Sequence, residues 1–176
     1  MPLRKMIRLT LSDYISFNFF HLKTRLIAMP IALMLIMPVA VIVIDLIEYG
    51  EVLWLAAIVA LIIGAIFAGL IALANTFSIR RAAKKQYDSS KALQTENETT
   101  INEDGVRESG EFGSTNVGWS DVFKAAEGRD AYYIFFSRLQ AFVIPRRLLS
   151  PDEETVLRTL LQRHLAQEKL KLISRI

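Results

Sequence analysis

Two stretches of about twenty apolar residues, Leu26 to Ile44 and Val52 to Ala74, stand back to back in the chain, separated only by Asp45-Leu46-Ile47-Glu48-Tyr49-Gly50-Glu51. Neither stretch contains a charged side chain, and at 1.5 Å per helical residue each reaches roughly 30 Å, enough to cross a hydrocarbon core. They predict a transmembrane helical hairpin (about 26–44 and 52–74) within a membrane segment 26–79. The remaining residues are too few to cover two such helices on all sides as a soluble core. No small-x-small cleavage site follows the first run, so the hairpin is expected to be retained in the mature protein.

Outside the hairpin the periodicities change. Ile7, Leu9 and Leu11 alternate with Met6, Arg8 and Thr10, the signature of a short half-buried strand. Thr10 and Asp13 then fit a capping box, and Tyr14, Phe17, Phe19 and Phe20 follow, which predicts an aromatic helix to about Lys23 lying along the inner interface or under a cytoplasmic domain. Residues 1–25 thus form an N-terminal segment. Arg80 to Ser90 reads as a basic continuation of the second helix, with residues 80–92 as the membrane-exit linker.

From residue 93 onward the signals are strands and tight turns. Asn102-Glu103-Asp104-Gly105, Gly110 to Gly113 and Glu127-Gly128-Arg129-Asp130 supply turns; Gln94 to Ile101, Val106 to Ser109, Thr115 to Ala125, Tyr132 to Phe136 and Ala141 to Ile144 supply strands. This predicts an antiparallel meander of five or six strands. Ser150-Pro151-Asp152-Glu153 combines a capping box with proline at N1, and Val156, Leu157, Leu160, Leu161 and Leu165 form an apolar stripe with Arg158 on the opposite side. The fold class expected is a membrane α-helical hairpin plus a small cytoplasmic α+β domain, residues 93–176, whose meander is capped by a C-terminal helix.

Charge orients the hairpin. Arg4, Lys5, Arg8, Lys23 and Arg25 precede it and Arg80, Arg81, Lys84 and Lys85 follow it, whereas its turn carries Asp45, Glu48 and Glu51 and no base. The positive-inside rule then places both termini in the cytoplasm. Tyr49 and Trp54 fall at the outer headgroup level and Phe77 at the inner one. Within the second helix, Ala60, Gly64, Ala68 and Ala72 recur every four residues and make a flat stripe for close helix approach, against the first helix of the same hairpin or across a homodimer. Pro30 and Pro38 are ordinary packing features of a span, and the absence of polar residues inside either span gives a proton or ion path no raw material.

Composition narrows the chemistry. The 176 residues contain no cysteine and two histidines, so no disulfide, thiolate or His/Cys metal site is expected, and no cofactor. His21 and His164 lack a Ser-Asp or metal-ligand neighbourhood and read as structural. The carboxylates Glu103, Asp104, Glu127, Asp130 and Asp152 to Glu154 sit in turns or at a helix start and read as solvated turn and cap groups. No glycine-rich phosphate loop precedes a helix, and no small-molecule substrate is evident. The constellation that remains is basic: Arg80, Arg81, Lys84 and Lys85 with Arg146 and Arg147, a candidate surface for anionic headgroups; the first four also set topology, and the last two could instead pair with the acids at 152–154. Nucleic acid is not an expected partner, because no exposed aromatic platform accompanies these bases.

The order of features resembles the YcxB-like family of small bacterial membrane proteins. The resemblance runs from Leu9-Thr10-Leu11-Ser12-Asp13-Tyr14 to the last helix, through Asn102-Glu103-Asp104-Gly105-Val106, Trp119-Ser120-Asp121-Val122 and Phe142-Val143-Ile144-Pro145-Arg146-Arg147, and departs near Leu149, where an aromatic is usual. It implies an inner-membrane location and a pleckstrin-homology-like cytoplasmic module, and carries no catalytic residues. The function expected is non-enzymatic, a regulatory or scaffolding interaction domain with Trp119 and the Tyr132 to Phe136 strand in its core. The alternative is an accessory subunit docking onto a transporter or membrane enzyme through the small-residue stripe.

Overall fold

Two helices dominate the first half of the chain, both longer than the apolar runs that define them. In a computed structural model, which describes residues 2–172, strand β1 (Leu3–Ile7) is followed by helix α1 (Leu11–Glu48), helix α2 (Trp54–Ser89) and a single turn of helix α3 (Lys91–Gln94). Strands β2 (Asn97–Ile101), β3 (Gly105–Gly110), β4 (Gly113–Gly118), β5 (Lys124–Glu127), β6 (Ala131–Phe135) and β7 (Ala141–Pro145) then precede helix α4 (Pro151–His164) and a two-residue strand β8 (Leu170–Lys171). The chain divides into two compact units: His21–Ala82, and the residues up to Phe20 together with those from Ala83 onward.

The first unit is the helical hairpin. The expected break between an aromatic helix and a span is absent: α1 is one helix, and Pro30 and Pro38 lie inside it without ending it. Ala57, Ala60, Gly64 and Ala68 of α2 are buried, with Ala72 half-buried. A methyl group at Gly64 would stand 3.0 Å from the Met34 carbonyl oxygen and 3.3 Å from its Cα, so the small stripe lets the α2 backbone meet that of α1. Asp45, expected in the connecting turn, sits instead in the last turn of α1, buried, where Oδ2 accepts the Leu53 amide at 3.1 Å. Gly50 takes φ +71° in the turn itself, a conformation open to glycine without penalty. The outward faces are apolar and uncovered, with Ile36, Ile47, Leu55, Ile66 and Leu73 all exposed.

The second unit contains two four-stranded sheets, ordered β1-β2-β3-β4 and β7-β6-β5-β8. The expected single meander is split between them because Gly118 leads into a 3-10 turn at Trp119–Asp121, ending β4 and turning the chain into β5. All pairings are antiparallel except β5 with β8. The domain does not begin at residue 93. Strand β1 pairs with β2, Leu3 opposite Ile101 and Ile7 opposite Asn97, so the N-terminal segment is an edge strand of the first sheet. Gly105 at the β2–β3 turn has φ +154°, and a Cβ there would overlap the Val117 carbonyl oxygen, which is why the Asp-Gly turn needs its glycine.

The core gathers Leu3, Ile101, Val106 and Val117 from the first sheet, Tyr132, Ile134, Phe142 and Ile144 from the second, and Leu157, Leu160, Leu161 and Leu165 around α4. Val156, counted in the apolar stripe by spacing, is 40% exposed. Strand β6 is buried at every position because its other face is also covered: Tyr133 stacks on Phe20 (4.5 Å between ring centroids) and lies 5.8 Å from Phe17, both in the first turns of α1. Those turns therefore lie against the sheet domain, one of the two places expected for them. A strand buried on both faces reads as a continuous apolar run, as Ala131 to Phe135 does. Both capping boxes form, Thr10 with Asp13 at α1 and Ser150 with Glu153 at α4.

Leu161→Ala should destabilise the sheet domain by about 3 kcal/mol, since a fully buried leucine leaves a cavity that the sheet cannot collapse into. Urea unfolding in dodecyl maltoside, read by Trp119 fluorescence in a Trp54→Phe background, measures it.

Candidate functional site

The end of β7 delivers two arginines into a 3-10 turn, Arg146–Leu148, and the fold uses them differently. Arg146 points inward. Its Nη2 donates to Glu127 Oε1 at 2.7 Å, its Nε to Glu154 Oε1 at 3.1 Å, and its guanidinium lies 5.1 Å from the Tyr132 ring centroid. Arg158 Nη1 reaches the second Glu127 oxygen at 3.3 Å. The hydrogen bonds to Glu154 hold the Arg146 guanidinium more firmly protonated than usual, while burial, then the Glu127 carboxylate, push the Tyr132 phenol up.

Arg147 is half-exposed and donates to Asp13 Oδ2 at 2.6 Å and to the Arg8 carbonyl at 3.2 Å. Burial works against ionisation of Asp13, but the Arg147 and Thr10 hydrogen bonds outweigh it and hold its carboxyl below the usual value. Two expectations are thereby corrected. Glu127, read as a solvated turn acid, is 4% exposed and Glu154 is largely covered, because both neutralise Arg146. Arg158, placed by spacing on the solvent side of α4, is drawn into the same cluster. The 3.6-residue period locates a side chain on a helix face but does not say which face a neighbouring strand covers with a carboxylate.

The other predicted cations, Arg80, Arg81, Lys84 and Lys85, are exposed on consecutive turns of α2, with Lys84 paired to Asp88 at 3.2 Å. His164 stacks flat on Trp119, 5.3 Å between centroids, and shares Glu103 with Arg163, a structural arrangement. The Glu103 carboxyl lies below its usual value chiefly through the His164 bond.

A feature with no sequence signal is a cavity of about 350 Å³ against the inner face of the first sheet. Glu108, Asn97 and Thr115 line it beside Ile7, Leu93 and Val143. Burial raises the Glu108 carboxyl above its ordinary range, only partly offset by the bond that Asn97 Nδ2 donates to it at 3.2 Å.

Residues 101–161 match the family model described as YcxB-like protein, and two long apolar helices precede that stretch. The matched region runs from the end of β2 into α4 and contains Glu127, Arg146, Glu154 and Arg158. No curated protein and no solved structure matches the chain.

Glu127→Ala leaves two guanidiniums covered without their shared carboxylate and should destabilise the domain by about 3–5 kcal/mol in urea unfolding, whereas the exposed Arg129→Ala should stay within about 0.5 kcal/mol. Asp13 adds an acid limb. Because its folded pKa is depressed, its contribution is present above the unfolded value and is lost as pH falls through the folded one, so Arg147→Ala should flatten the loss of stability below about pH 4.

Proposed function

We propose that the chain is a non-enzymatic bacterial inner-membrane protein whose hairpin crosses the bilayer with both termini in the cytoplasm and anchors a pleckstrin-homology-like interaction domain with a regulatory or scaffolding role. The observation that carries this reading is the uncovered apolar surface of the hairpin: along Leu26 to Ile44 and Val52 to Ala74 no side chain is charged and most of the large aliphatic ones are exposed, a surface that water disfavours and hydrocarbon accepts. The bases at 80–85 and the acidic, base-free turn support the orientation.

Four antiparallel strands, a second sheet antiparallel but for β8, and a closing C-terminal helix support the pleckstrin-homology-like reading of the domain. Arg146 is consumed by internal pairing, so apposition to anionic headgroups falls to Arg80, Arg81, Lys84 and Lys85, each contributing on the order of 1 kcal/mol near a charged surface. At Gly64 the small-residue stripe already meets the Met34 backbone of the same hairpin, and Ala60 and Ala68 are buried, which favours the anchor over the accessory-subunit alternative.

The chain has no cysteine, so single cysteines report sidedness without background. In intact cells a membrane-impermeant maleimide should label Glu51→Cys, and should label the exposed Ser120→Cys only after permeabilisation. Labelling of both from outside, or of Ser120→Cys alone, rejects the topology. In nanodiscs, amide exchange across residues 80–89 should be slower with phosphatidylglycerol than with phosphatidylcholine, and the difference should vanish in about 0.5 M salt, where the Debye length is a few ångströms.

A further inference from the structure

The inner face of the first sheet is built in rows. Leu3, Ile101, Val106 and Val117 are cross-strand neighbours in one buried apolar row. Two residues along, the next row is polar: Lys5 opposite Thr99, Thr99 opposite Glu108, Glu108 opposite Thr115. Because side chains alternate faces along a strand, this polar row shares the face of the core row rather than the solvent side. Lys5 is taken by Glu153 of α4 at 2.8 Å. Thr99 is 2% exposed and its hydroxyl has no hydrogen-bond partner.

Glu108 opens onto the cavity, and among the described residues it has one hydrogen bond, from Asn97, and no ion pair. Asn97 can lie there because Gly110 has no side chain; a Cβ at Gly110 would overlap the Asn97 amide oxygen. Among the described residues no lysine, arginine or histidine lines the cavity, whose apolar walls are Ile7, Leu9, Leu93, Phe112 and Val143.

Among the described residues no cation meets this half-buried carboxyl, so burial works against its charge unless a ligand supplies the positive partner. The volume of about 350 Å³ lies at the small end of ligand sites. We propose that this cavity binds a small amphiphilic ammonium group, the N–H donors directed at Glu108 and the short apolar body against Phe112, Leu93 and Val143. A primary ammonium satisfies the carboxylate with charge-assisted hydrogen bonds and covers the apolar walls at the same time. An anion would meet Glu108 with like charge and find no base in the lining. The ammonium can come from a free amine or from the headgroup of an aminolipid. The site is independent of the anchoring role.

The full chain in dodecyl maltoside is titrated by calorimetry with 2-phenylethylammonium and with uncharged 2-phenylethanol, and separately with a short-chain phosphatidylethanolamine in the same micelles. The ammonium, free or on the lipid, should bind at least about tenfold more tightly than the alcohol, and Glu108→Gln should abolish that preference. Which of the two binds assigns the source. Glu108→Gln should fold at least as stably as the parent, because it removes a desolvated acid, and urea unfolding checks this. Phe112→Ala, at a residue already 54% exposed, should weaken both probes about equally without altering the preference. Failure of both ammonium probes to bind, a preference that survives Glu108→Gln, or binding indifferent to Phe112→Ala would overturn the proposal.

Discussion

The Glu127 side chain, 1% exposed at the end of β5, is the point on which the sheet domain depends. A carboxylate taken so far from water is tolerable only where opposite charge meets it with good geometry, and here two guanidiniums do so, Arg146 from the turn after β7 and Arg158 from α4. Glu154 closes the cluster from the first turn of α4. One buried acid therefore ties the turn after β7 and the closing helix to the end of β5. The apolar rows supply most of the driving force, and the ion cluster joins the elements where they meet.

A second constraint is topological. Strand β1 and its partner β2 are separated in sequence by both long helices, yet Leu3 stands opposite Ile101 and completes the apolar row that runs on through Val106 to Val117. Such a pairing closes a long loop, an entropic cost that the local hairpins do not carry. The sheet is thus incomplete without residues that precede the helices, and the domain cannot be cut out at residue 93. The first turns of α1 add the cover over Tyr133, whose phenol burial pushes up to about 12.

Function follows from how charges are distributed between internal and external use. Arg146, Arg158 and Glu127 hold the fold, Arg147 ties Asp13 at the start of α1, and the bases of α2 are exposed on its surface. Glu108 is the exception. Among the described residues it is a covered acid with no internal cation, and its row-mate Thr99 keeps a buried hydroxyl without a partner. Glu108 lines the cavity, where among the described residues its carboxyl is met by the Asn97 amide alone.

Local chemistry was legible in the sequence. The apolar runs, both capping boxes, the Asp-Gly turn at 104–105, the closing amphipathic helix and the small-residue stripe all depend on neighbours a few residues apart, and spacing alone reports those. The partition into two sheets, the inclusion of β1, the inward turn of Arg146 and the burial of Glu127 were decided only by tertiary structure. Each depends on residues distant in sequence: Leu3 on Ile101, Arg146 on Glu127, Arg158 on the same acid. A charged residue between turns looks solvated until a second element covers it, and the alternation that places Glu108 on the inner face means little until the sheet shows which face is inner. What the sequence determined by itself was the type of most segments, though not the 3-10 turn inside Thr115 to Ala125 or strand β8; which of their charges face water is a property of packing, because burial is shared between elements and belongs to neither alone.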